Sequence, residues 1–191
     1  MIRMLRPTIL TAALIAVASV PACAQEPQPR AQDGLTVEAS GRARTAAGLR
    51  RGRTPVELSI DYGVPVLRGR SLESLAPAGR VWRLGANSST TLKTDAEVTI
   101  GGTVIPAGTY SLFAEPGQNA WTLIVNRQSG QWGTQHDPAQ DLARIPMRVR
   151  TLASPVEAFT MWLIPAGQGP ARGTLVIAWG NVEASADWSA R

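Results

Sequence analysis

The sequence predicts an all-β domain: an antiparallel β-sandwich, with a barrel-like arrangement as the alternative, carrying one or two short helical turns. Three observations predict it. Residues 56–62 (VELSIDY) alternate apolar and polar side chains without interruption, the period of a half-buried strand. Gly101-Gly102 separates two short β-branched runs, the pattern of a two-residue hairpin. Finally, 18 Gly and 14 Pro in 191 residues demand frequent turns and leave little room for long helices.

In chain order, residues 1–24 read as an export signal. Arg3 and Arg6 supply a positive start, and residues 9–20 (ILTAALIAVASV) form an apolar run too short to anchor in a bilayer as a spanning helix. Two exits stay open. Ala22-Cys23-Ala24 fits a small-x-small cleavage site, giving a soluble periplasmic protein. Val20-Pro21-Ala22-Cys23 is a loose lipobox that would lipidate Cys23 and tether the domain to a membrane. Residues 25–34 (QEPQPRAQDG) are polar and bear Pro, so a flexible lead-in is expected. A single domain then fills residues 35–191.

The strand content of residues 35–53 is weakly marked, and the arginines from 42 to 53 there read as a solvated loop or a contact for anionic envelope surfaces. After the strand at 56–62, residues 96–105 form the Gly-Gly hairpin. Residues 109–114 (TYSLFA) and 121–126 (WTLIVN) form a second. Residues 145–151, 157–164 and 174–179 are three further strands separated by Pro/Gly loops, notably 165–173 (PAGQGPARG). The total is seven to nine. One helical turn is expected at 71–75. Another is expected at 137–141, with Asp137 as N-cap and Pro138 following it.

Composition excludes several chemistries. Cys23 is the only cysteine and lies in the signal, so the folded domain has no disulfide, thiolate nucleophile or thiolate metal site. His136 is the only histidine, and no acidic run has calcium-loop spacing, so no metal and no cofactor are expected. Loss of the signal lowers the formal charge from +5 to +3, too mild to argue for nucleic acid.

Four ordered blocks carry a resemblance. Residues 79–87 (GRVWRLGAN), 104–113 (VIPAGTYSLF), 121–126 (WTLIVN) and 131–133 (QWG) resemble successive motifs of the domain-of-unknown-function family 2911. Residues 60–62 and 67–70 (LRGR) resemble its preceding strand and turn. The resemblance spans roughly 55–182 and implies an exported β-sandwich; it implies no activity. Leu84 stands where the family commonly has Thr, and Ala78 where it has Tyr.

For a site, the Trp82–Asn87 block is the richest. Arg83 supplies a planar donor fork, Asn87 an amide, and Thr90 and Thr91 hydroxyls. The plain alternative is that Arg83 and Asn87 bridge strands through loop carbonyls. Trp121 and Trp179 are in phase with apolar neighbours and read as core. Trp132, in a Gly-flanked loop, reads as ligand-facing and shares a rim with His136 and Asp137. Asp137 and Asp141 read as helix-dipole and solvent acids. The expected ligand-binding set is therefore Arg83, Asn87, Thr91, Trp132 and His136, with no catalytic residue assigned. The expected role is a non-enzymatic cell-envelope module for a small polar ligand or an envelope protein, touching a membrane only if Cys23 is lipidated. The alternatives are a hydrolase pairing His136 with a carboxylate, and a purely structural envelope protein.

Overall fold

The computed structural model describes residues 40–191. The signal, the lead-in and Cys23 fall outside the described residues. The described residues form eleven strands: β1 (Arg42–Ala46), β2 (Leu49–Arg51), β3 (Thr54–Val56), β4 (Leu58–Gly63), β5 (Thr90–Thr94), β6 (Val98–Ile100), β7 (Thr103–Ile105), β8 (Gly108–Glu115), β9 (Ala120–Asn126), β10 (Asp141–Pro165) and β11 (Arg172–Ala190). Nine form one antiparallel sheet in the order β1-β4-β5-β8-β9-β10-β11-β6-β7, and β2-β3 is a separate hairpin. Among the described residues helix is limited to α1 (Leu72–Leu75), N-capped by Ser71, and one 3-10 turn (Pro138–Gln140), N-capped by Asp137 as its sequence requires.

The local patterns account for most elements. Leu58, Ile60 and Tyr62 of β4 enter the core, while Ser59 between them is covered by the ion pairs above it. Gly101 and Gly102 both have positive φ, the geometry of a primed hairpin turn. The second hairpin forms as expected, with Phe113 opposite Ile124. The 42–53 stretch is not a loop. Arg42 and Arg44 stand on the outer face of β1 and pair with Asp61 and Glu57 of or beside β4, and Lys93 reaches Glu57 at 2.7 Å.

The largest departure lies in the last third of the chain. The three strands expected there are two long ones, β10 and β11, because residues 152–158 do not end a strand. They are absorbed in two register shifts, between Thr151 and Val156 and between Val156 and Thr160. Pro155 falls within the first shift, where no ladder hydrogen bond is lost to it. Opposite, Gly180 adopts φ 55 and moves the inward phase of β11 from odd residues (Leu175, Ile177, Trp179) to even ones (Ala184, Ala186, Trp188). The two bent strands let one sheet wrap a single core.

That sheet is not a closed barrel. The outer edge of β10 meets the segment that follows β4 through one backbone bridge among the described residues, Val66–Ala158, with flanking bonds from Leu67 N to Glu157 O and from Phe159 N to Pro65 O. Farther along, side chains replace a neighbouring strand. The Tyr62 hydroxyl accepts from Met161 N and donates to Met161 O, and Thr45 Oγ1 accepts from Leu163 N. Part of the edge is thus satisfied without a ladder, which blunts a template for unwanted pairing. Against it packs an aromatic cluster. Trp82 stacks on Trp179 at 5.2 Å and meets Phe159 and Trp121 edge-on.

Candidate functional site

The site begins with the loop between α1 and β5. Trp82 anchors it twice, through its indole in the core and through paired backbone bonds with Ala114. Beyond that anchor the chain turns sharply. Leu84 and Asn87 hold positive φ of 48° and 60°, which is costly for leucine. The turn is held by burial of the Leu84 side chain and by the Thr90 hydroxyl, which donates to Leu84 O at 2.7 Å. Arg83, between two buried residues, is left half-buried. Its Nε donates to Gly85 O at 3.3 Å, and neither Nη atom has a protein partner among the described residues.

A second loop, between β9 and β10, closes onto the first. Ser89 N donates to Gln131 O, Gly133 N donates to Asn87 O at 2.9 Å, and Ser88 bridges Trp132. This zipper brings His136 to the same place. Its Nε2 lies 2.7 Å from Asp141 Oδ1, the two side chains being 14% and 13% exposed. Asp141 also accepts from Asn126 Nδ2 at 2.9 Å and from Arg144, which in turn pairs with Glu115. Asn126 is fully buried, and its amide also donates to Asp137 O. The imidazole is therefore held from behind, and the Phe113 ring packs against it, tilted by 53°, with centroids 4.7 Å apart. With Nε2 donating to Asp141, Nδ1 has no protein partner among the described residues.

The result is a cleft of about 330 Å³. Trp82 and Phe113 form its aromatic wall, Leu75 and Val81 extend the apolar surface, and Arg83, Thr134 and His136 supply polar groups. Of the five residues expected at the site, Arg83 and His136 converge here. The other three do not line it. Asn87 is exposed and its amide donates to Ser40 O; its carbonyl rather than its side chain holds the cleft together. Thr91 lies in β5 opposite Ser111, and its hydroxyl donates to Ser89 O. The Trp132 ring is 50% exposed next to the cleft.

Asp141 is not a helix-dipole residue. It closes the 3-10 turn, opens β10, and serves as the acceptor for His136. Sequence reading missed it, together with Asn126 and Phe113, because strand pairing brings them together. The one available signal was an acid five positions beyond the only histidine. No hydroxyl or thiol is hydrogen-bonded to His136 among the described residues. No group of three or more metal-ligating side chains converges among them either.

The lowered or raised acidities all belong to surface pairs outside the cleft. Lys93, then Ser59, holds the Glu57 carboxyl below its ordinary range. Arg148 does the same for Asp187, and Arg148 and Arg150 are themselves raised by Asp187 and Glu183.

Comparison with curated proteins and with solved structures returns no match. A family model described as a protein of unknown function, DUF2911, matches residues 46–187, which takes in every strand from β2 to β10 and every residue of the cleft. The chain belongs to the DUF2911 family.

Proposed function

We propose that this is a non-enzymatic binding module of the cell envelope whose cleft takes a small carboxylate that also carries a hydroxyl or amine. The observation that carries the reading is the pairing of two unused polar groups in one aromatic-walled cleft. Among the described residues the Arg83 Nη donors and His136 Nδ1 have no partner, while Asp141 fixes the ring. A guanidinium fork matches a carboxylate in two parallel bonds. In the neutral imidazole, Nδ1 accepts from a ligand O–H or N–H. Apolar walls with a few fixed polar groups are the common make-up of small-molecule sites, and about 330 Å³ is within their range. Export is supported by the charge and apolar pattern of residues 1–24.

The test is a thermal-shift and calorimetric screen of hydroxy- and amino-carboxylates against their uncharged amides. A ligand at a hundred times its Kd stabilises by about 2.7 kcal/mol, roughly 5–10 °C for a domain of this size. Arg83→Ala should abolish the response, and His136→Ala should weaken only ligands with the second polar group. The reading fails if no carboxylate stabilises the protein, or if Arg83→Ala binds as the parent does.

A further inference from the structure

The cationic side chains differ in whether a carboxylate faces them. Arg42, Arg44, Lys93, Arg144, Arg148 and Arg150 stand on strands, and each is paired with a carboxylate. Of the arginines without a carboxylate partner among the described residues, Arg50, Arg51, Arg172 and Arg191 gather at one end of the domain, whereas Arg68, Arg70, Arg80, Arg83 and Arg127 line neither hollow there. Three separate segments bring them there. The β2-β3 hairpin carries Arg50 and Arg51, with Arg53 in its turn; the start of β11 carries Arg172; Arg191 follows β11. Contacts knit the segments together. Arg51 Nη2 donates to Arg191 O at 3.0 Å, Ala190 N to Ala171 O, and Ala166 N to Arg172 O.

These arginines line two adjoining hollows that share Leu49, Arg50 and Ala171. No acidic side chain lines either one. The floor is apolar, from Leu49, Val56 and Ala190, and the wall is the Gly- and Pro-rich connection between β10 and β11, which has no bulky side chain to hold a partner away.

We infer that this arginine-rimmed end is a docking surface for an anionic lipid bilayer. Guanidinium groups that no acidic side chain neutralises, spread along a shallow groove, match many separated negative charges rather than one small anion. The alternative polyanion is a single-stranded nucleic acid, which proteins of this kind grip by stacking bases on exposed aromatic rings. The groove offers none: Trp188, its one aromatic residue, is 2% exposed. The surface is distinct from the Arg83–His136 cleft and shares no residue with it.

The experiment is co-sedimentation of the full chain with vesicles of phosphatidylcholine and phosphatidylglycerol, compared with phosphatidylcholine alone. Any contribution from the apolar N-terminal run is common to both. Binding to the anionic vesicles should exceed that to the neutral ones and fall steeply with added salt. Each arginine near the surface is worth about fivefold, so the triple variant Arg50→Gln, Arg51→Gln, Arg172→Gln should lose about a hundredfold. Arg80→Gln with Arg127→Gln, two exposed and unpaired positions elsewhere, should lose far less. Circular dichroism of each variant separates loss of binding from loss of fold. The inference is overturned by equal binding to both vesicles, by equal losses in the two variants, or by tighter binding to a single-stranded oligonucleotide than to the anionic vesicles.

Discussion

Replacing Gly133 with alanine tests how the two loops build the cleft. A Cβ at this position would sit 2.6 Å from Asn87 O and 3.1 Å and 3.3 Å from Arg83 Cδ and Cβ. The first distance is backbone against a new carbon, so one loop must move by roughly 0.6 Å or more to restore van der Waals contact. That movement strains or breaks the bond from Gly133 N to Asn87 O, worth about 1 kcal/mol. Overpacking of a buried position adds a cost of about 1–3 kcal/mol. The sum is about 2–4 kcal/mol, or roughly 5–15 °C in Tm, measured by thermal and urea unfolding. Because Arg83 lies against the same Cβ, affinity for a carboxylate ligand should fall with stability. Gly48→Ala is the control: a Cβ there meets nothing within 4 Å, and the backbone is not left-handed. Should Gly133→Ala unfold at the same temperature as Gly48→Ala and bind as tightly, the loop zipper is not what positions Arg83.

Four further outcomes follow from the same structure. Tyr62→Phe removes the hydroxyl that satisfies both Met161 N and Met161 O on the β10 edge, and should cost about 1–3 kcal/mol in urea unfolding; a change near zero would mean the edge finds other partners. Trp82→Ala deletes the centre of the aromatic cluster and should cost about 3–5 kcal/mol, with a loss under about 1 kcal/mol counting against a central role. Asp141→Ala frees the His136 ring, so calorimetry should show it weakening hydroxy-carboxylates as His136→Ala does; unchanged affinity would remove Asp141 from the site. Glu57 has a carboxyl held low by Lys93, so the folded protein binds fewer protons there than the unfolded chain. Its contribution is therefore complete above the ordinary glutamate value and lost as pH falls through the folded one. Glu57→Gln should flatten that acid loss by less than about 1 kcal/mol, the exposed pairs being screened, and an unchanged pH profile would contradict the assignment.

Local pattern carries far in a β domain and then stops. The hairpin at Gly101-Gly102, the cap at Asp137 and the core phase of Trp121 and Trp179 all depend on residues close in sequence, and each was legible there. The 42–53 arginines misled because charge obscures a strand whose outer face is made of ion pairs. The 145–179 region misled because Pro155 reads as a break, whereas a bulge accommodates it inside one long strand.

The site divides along the same line. Arg83 and His136 stood out by residue type alone, the one as a donor fork in the most polar block and the other as the only imidazole. The sequence by itself determined that this is an all-β chain with export-like residues at its start, no thiol beyond Cys23 and a single histidine. Only the tertiary structure decided that Arg83 and His136 share a cleft while Asn87 and Thr91 turn away, and that Asp141 and Asn126 hold the imidazole. The physical reason is that alternation and turn chemistry act over a few residues. Strand register and the closure of one loop on another are set by pairings between distant segments, whose partners no local pattern names.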